Sequence, residues 1–378
     1  MHKTMQFFRS AWRALAVAAF LSQAGLTWAQ TSVTDLAGRK VSIPAQVDRV
    51  LLGESRLLPA LAILEGDPTR RLVAMMNDLE QLDPAAYAQW RSRFPKLDSI
   101  ARVGRSNASS FGDERALALR PQVAILSLGG GHTPSERDSE TIRRLEASGI
   151  AVVFVDFRHD PLRNTPRSMA LLGQVLGKTR EAAAFNSYWQ QQLDLVRTRL
   201  QKAHKSNPSV FIDSRVGLSI TCCETLNGML GKLVDTAGGT NIAKGLVAGE
   251  HGILNPEMLI ARQPEVYIGT GIGSMQTLSS SRIVLGAGVT PQAARQSLQK
   301  SLQRSPFPLL QAVKKGRAYA IWHHFYNSPF NVVAVQVMAK WLHPELFADV
   351  DPRHTLQEMY RRFQPLALDG TYWIDAGK

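Results

Sequence analysis

The chain has 378 residues and a formal net charge of +13, which is long for one domain and suits two of ordinary size. Its basic residues are scattered singly, without the Lys/Arg runs that track nucleic-acid phosphates, so the charge points to a basic surface or an anionic small ligand. The only cysteines, Cys222 and Cys223, are adjacent, which excludes a zinc site built from CxxC pairs.

At the N-terminus Lys3, Arg9 and Arg13 precede an apolar run, Ala14–Leu21, and no acidic residue occurs before Asp35. Small side chains at Thr27 and Ala29 close the segment. Together these are the three parts of a secretory signal, so residues 1–29 are expected to be removed after Ala29 and the mature protein to reside in the periplasm. The run falls well short of the roughly 20 residues that span a bilayer. Cleavage lowers the net charge to about +10, and secretion argues against a nucleic-acid partner.

After a polar start, Val41–Pro44 reads as an edge strand stopped by proline. Short apolar runs follow at Arg49–Gly53, Arg71–Met76, Val123–Leu128 and Ala151–Phe157, and each predicts a buried strand. Amphipathic stretches lie between them, among them Ser139–Ser148, which Gly149 ends as a C-cap. Strand and helix in alternation predict a βαβ sheet with helices on its faces. From Pro166 to Lys202 the pattern becomes helical, with Met169, Leu172, Val175 and Leu176 on one stripe and a break near Gly177. Phe185, Trp189, Leu193 and Val196 continue at helical spacing from Arg180 to about Gln201. The strand–helix rhythm resumes at Val210–Ser214, Glu265–Gly269 and Arg317–Trp322. The expected fold class is therefore α/β, with two Rossmann-like lobes joined by a single long backbone helix. Residues 30–163 form the first lobe, 164–180 the link and 181–378 the second lobe. A helical link resists large closure, because bending it breaks backbone hydrogen bonds.

Four segments carry a resemblance. They are Asp35–Pro44 (DLAGRKVSIP) with Arg49-Val50, Glu114–Pro121 (ERALALRP), Leu233–Ile242 (LVDTAGGTNI) and Asn255–Pro264 (NPEMLIARQP). In this order they resemble the helical-backbone (class III) periplasmic substrate-binding proteins of ABC importers for ferric siderophores, haem and cobalamin, over nearly the whole mature chain. The resemblance implies capture of a ligand between two lobes and delivery to a permease dimer in the inner membrane. The protein is expected to act as a monomer. It also implies that a glutamate in the first turn of one short helix in each lobe docks on permease arginines, which nominates Glu114 and Glu257. The plainer role for such a glutamate is to favour its own helix dipole.

The ligand cleft is expected where the carboxyl ends of the strands open between the lobes. That nominates Glu54, Ser55 and Arg56, then Arg105 and Ser106, Gly129–His132, and Arg158 with His159. In the second lobe it nominates Asp213–Gly217, the Cys222-Cys223 stretch and Trp322–Asn327. Arg56, Arg105, Arg158 and Arg215 offer bidentate donors to carboxylate or catecholate oxygens. His324 and Tyr326 offer rings with polar tips. Of the neighbouring histidines 323 and 324, at most one faces the cleft if they lie on a strand. Gly129–Gly131 reads first as a tight turn and second as a set of backbone N–H groups presented to an anion. Cys222 and Cys223 form either a vicinal disulfide or two buried thiols.

Charge and arginines favour a ferric siderophore as the carried ligand, with haem, cobalamin and molybdate-type oxyanions as alternatives. No intrinsic cofactor is expected. The sequence contains no GxSxG, HExxH or CxxC, so an enzyme, and in particular a secreted metal-dependent one, is not expected. A peptidoglycan- or receptor-binding module would leave the paired glutamates without a purpose.

Overall fold

A computed structural model describes residues 30–203, 206–218, 222–278 and 281–377. The expected signal peptide lies outside the described residues. The described residues open as a hairpin, β1 (Gln30–Thr34) paired antiparallel with β2 (Lys40–Pro44). The turn is organised by Asp35, whose carboxylate accepts from the backbone N–H groups of Ala37 and Arg39 and pairs with the Arg39 guanidinium at 2.9 Å. Val41 and Ile43 alternate inward, as the pattern of this segment predicts.

The first lobe holds a five-stranded sheet of β3 (Val50–Leu52), β4 (Leu72–Met76), β5 (Ala101–Gly104), β6 (Val123–Ser127) and β7 (Ala151–Val155), in the order β5-β4-β3-β6-β7. Every pairing in it is parallel. β3 and β6 are buried along their whole length, which explains their unbroken apolar runs. β5 carries no such run, because it is an edge strand. Its Arg102 points away from the core and donates to Leu97 O, Ile100 O and the Tyr87 hydroxyl.

The helical stretch between the lobes consists of two helices, α1 (Pro161–Leu176) and α2 (Thr179–Ala203). Gly177 separates them in a left-handed conformation (φ +67°), the usual helix C-cap. The linking helix expected at 164–180 therefore straddles a turn. Both helices reach the second lobe: Thr165 Oγ1 of α1 accepts from Asn331 Nδ2 at 2.7 Å, and α2 extends about 37 Å over its 25 residues. Its Trp189 Nε1 donates to Asn331 Oδ1 of α3 (Asn331–Leu342) at 3.0 Å, and its Arg199 pairs with Asp349. The buried stripe Phe185, Trp189, Leu193 and Val196 belongs to one core that runs without interruption from the hairpin through α1 and α2 to α3.

The second lobe holds a seven-stranded mixed sheet. Its parallel centre is β8 (Ser209–Asp213), β10 (Thr240–Asn241), β12 (Val266–Gly271) and β13 (Ala318–Trp322), with β10 and β12 flanking β8. Short antiparallel strands finish it: β9 (Glu224–Leu226) and β11 (His251–Ile253) on one side, β14 (Trp373–Asp375) on the other. Strands of two or three residues leave too little alternation to be legible in sequence.

Candidate ligand cleft

Loops from the carboxyl ends of the strands meet between the lobes. After β3, Ser55 and Arg56 turn inward against Asp78. The Ser55 amide and hydroxyl donate to Asp78 Oδ1 at 2.6 and 2.7 Å. The Arg56 guanidinium is buried and each nitrogen has a partner: Nε bonds to Asp78 Oδ2 at 2.9 Å, one amino group to Glu54 at 2.9 Å and the other to the Tyr326 hydroxyl at 3.0 Å. Burial disfavours its charge. Tyr326, Glu54 and Asp78 more than offset that, and its pKa is raised. Asn327 of the second lobe donates to Glu54 at 2.7 Å. Arg56 is thus an interlobe strut, with each of its three nitrogens engaged by a partner.

Beside this strut lies a cavity of about 110 Å³. The first lobe contributes His132 and Arg158. The second contributes Ser214 and Arg215 after β8, Glu224 and Leu226 of β9, Met229, His251, and His323 and Tyr326 after β13. Arg215 pairs with Glu224 at 2.6 Å, and Arg158 approaches Glu250 at 3.6 Å. Burial pushes the His323 imidazole well below its ordinary pKa and lowers that of His132, with nearby Arg56 adding to the effect on both. At neutral pH both rings are therefore uncharged. Two residues of this wall, Arg158 and Ser214, each hold a side-chain atom, Nε and Oγ respectively, that is buried without a hydrogen-bond partner. They come from opposite lobes, and leaving them unsatisfied costs about 1–3 kcal/mol each. Such a wall suits a ligand rich in acceptor oxygens. Among the described residues, no group of three or more His, Cys, Asp and Glu side chains is placed to hold a metal ion.

The other nominated residues divide clearly. Arg105 is exposed and lies outside the cavity wall, one residue from Ser106, whose carbonyl holds the His132 ring. His324 faces away from the cavity toward Asp83, 3.6 Å away, and burial lowers its pKa. The ring that faces the cavity is His323, with Nδ1 at 3.0 Å from Thr270 Oγ1. The two histidines sit on a 3-10 turn, His323–Asn327, rather than on a strand, so strand alternation does not decide between them. Gly129–Gly131 lies outside the cavity wall. Gly129 N donates to the Glu136 carboxylate and Gly130 N to Ser127 O. Cys222 and Cys223 are joined by a disulfide immediately before β9, with Cys223 buried. Sequence reasoning passed over Glu224, His251 and Glu250, which stand in or beside strands too short to mark.

Glu114 and Glu257 are both exposed, in the first turns of Asp113–Ala118 and Pro256–Arg262. Each helix leads through a proline into a core strand of its lobe, β6 and β12 respectively. Neither forms an ion pair among the described residues. The Glu257 amide is capped by Asn255 Oδ1 at 2.7 Å, so its carboxylate is not needed to start the helix.

No curated protein sequence matches the chain. Among solved structures, the TroA-like periplasmic binding protein FepB of Veillonella parvula superposes with a TM-score of 0.79 at 23% identity, over 91% of this chain and 99% of that one. Molybdate-bound MolA of Haemophilus influenzae gives 0.65 at 19% identity, over 90% and 99%. A periplasmic haem-binding protein of Pseudomonas aeruginosa gives 0.54 at 17% identity, over 79% and 94%. At these identities the likeness concerns the fold, two α/β lobes on a helical backbone. A family model described as periplasmic binding protein matches residues 62–322, and the chain therefore belongs to the helical-backbone periplasmic binding proteins, the solute-binding partners of ABC importer permeases.

Proposed function

We propose that this protein captures a compact, oxygen-rich anionic ligand, a metal oxyanion or a small metal chelate, and delivers it to its permease through Glu114 and Glu257. The observation that carries the reading is the wall of one cavity of about 110 Å³, where Arg158 and Ser214 meet from opposite lobes, each with a buried side-chain polar atom that has no hydrogen-bond partner. Pockets for drug-sized molecules run to roughly 300–1,000 Å³. A ferric siderophore therefore enters this cleft only with the lobes further apart, and it is the second reading. The net charge of +13 and the exposed Arg105 near the cavity favour it. The ligand leaves unchanged, and the protein acts as a monomer.

Tryptophan fluorescence titration tests the choice. The panel is molybdate, tungstate, ferric citrate, a ferric hydroxamate, a ferric catecholate, haem and cobalamin. Saturation at one equivalent by an oxyanion or ferric citrate alone supports the compact ligand. Saturation by a hydroxamate or catecholate alone replaces it with the siderophore. If haem or cobalamin alone saturates, or nothing does, both readings fall.

A further inference from the structure

Beside the cavity the second lobe reaches back to the first through one carboxylate. Glu250 Oε1 lies 2.6 Å from His159 Nδ1, and Oε2 lies 3.6 Å from the Arg158 guanidinium. Lys232 of the helix Leu230–Thr236 donates to the His159 carbonyl oxygen at 2.5 Å, in the same place and between the same lobes. Both sides are rigidly seated. The Glu250 carbonyl accepts from the Asn227 and Gly228 amides at 2.9 and 2.7 Å, and a Cβ on Gly228 would meet the Glu250 side chain at 2.7 Å. On the first lobe the His159 and Arg158 amides both donate to Asp156 Oδ1, at 2.8 and 2.9 Å.

The triple glycine finds its purpose here. Gly129 and Gly131 have φ of +72° and +96°, and the space their Cβ atoms would occupy is taken by the His159 ring and the Arg158 guanidinium. The loop is a bare backbone platform across which two side chains pass to reach the other lobe, and the ring completes its anchorage with Nε2 at 3.0 Å from Leu128 O.

We propose that Glu250 is the clasp of the cleft: by taking His159 and Arg158 it holds the lobes closed over the ligand and fixes Arg158 at the cavity wall. The proposal rests on that cavity being the ligand site. Arg158 belongs to both structures, so closing the clasp and completing the ligand site are one event. A substitution at Glu250 therefore loosens the lobes and misplaces a ligand contact together.

The charges around the clasp give it a pH window. His159 is faced by Glu250 and Lys232 from the second lobe and by Asp156 and Arg158 from its own loop, while Glu136 sits on the far side of the glycine platform, bonded to the Gly129 amide. The bond to Glu250 raises the imidazole above its ordinary 6.5. Burial works against the Glu250 charge, but His159, Arg158 and Lys232 outweigh it and hold the carboxyl below its ordinary 4.5. The histidine's contribution is complete below its open-state value and fades as pH rises through the raised one. The glutamate's contribution is present above its open-state value and fades as pH falls through the lowered one. The clasp is tightest between the two ordinary values.

Hydrogen exchange on the ligand-free protein, read by mass spectrometry and corrected for intrinsic rates, tests the clasp. Peptides covering 128–133, 156–160 and 249–254 are expected to be more protected at about pH 5.5 than at about pH 8.5. Glu250→Gln should reduce their protection by about tenfold at the lower pH and less at the higher, while residues 332–342 stay unchanged. His159→Gln should do the same, and it carries the test if the first variant folds poorly. Unchanged protection in a folded variant overturns the proposal. So does a loss that is equal at both pH values or spread through the core, since that marks a merely structural role. No ligand enters this measurement, so its failure is separate from failure of the titration.

Discussion

Removing Arg56 separates a structural strut from a ligand contact, the role its sequence position suggests. Its side chain is 4% exposed and those of its two acidic partners, Glu54 and Asp78, are 2% and 0% exposed. Arg56→Leu keeps most of the side-chain volume but leaves Glu54 and Asp78 as buried carboxylates without a counter-charge. Breaking a buried pair from one side costs about 3–5 kcal/mol. The Tyr326 hydroxyl adds little, since it borders the cavity and can be solvated there. A urea slope of about 3 kcal/mol/M then puts the fall in the midpoint at roughly 1 M or more. The loss should shrink as pH is lowered, because a stranded carboxylate takes up a proton rather than remain charged in the interior. Urea denaturation at neutral and mildly acidic pH measures both effects. A midpoint within about 0.3 M of the wild type would refute the strut. If ligand affinity fell sharply at the same time, Arg56 would be reassigned to the ligand.

Three further outcomes follow from other parts of the molecule. Asp213 is buried beside the Tyr267 hydroxyl, and burial raises its pKa from 3.8 to about 7. Its stabilising contribution is complete below 3.8 and is lost as pH rises through about 7, so Asp213→Asn should be more stable than wild type at pH 8 and near it at pH 4, read by thermal melting at both. Trp189→Phe removes the indole N–H that meets Asn331 Oδ1 in the core between the lobes, and urea denaturation should show a loss of about 2 kcal/mol. Reversing both exposed glutamates, Glu114→Lys with Glu257→Lys, should leave ligand affinity and melting temperature unchanged while abolishing uptake in cells. Uptake that survives in the double variant disproves the docking role.

Much of the architecture was legible because burial writes itself into the chain. β3 and β6 are covered on both faces, so their apolar runs are continuous, and the stripe at Phe185, Trp189, Leu193 and Val196 marks the helix that both lobes share. Gly177 announced its break through its conformational freedom. The link expected as one helix is two, α1 and α2, and both reach the second lobe; periodicity shows that a helix exists but not how two consecutive helices share the packing. β9, β10, β11 and β14 escaped notice because each is only two or three residues long.

The cleft divides along the same line. Residue type and position after a strand sufficed to bring Arg158, Arg215 and Tyr326 to the cavity. They could not show that Arg56 ties Glu54, Asp78 and Tyr326 together, or that His323 rather than His324 faces inward. Those outcomes depend on partners remote in sequence, 270 residues apart for Arg56 and Tyr326. Glu250 had no local mark at all. Periodicity and turn chemistry are local, so the residues alone mark a basic two-lobed α/β chain with a helical link and a glutamate in the first turn of one short helix in each lobe. Which arginine becomes an interlobe strut and which carboxylate closes the cleft depends on the tertiary fold, because hydrogen-bond satisfaction is settled when distant segments meet.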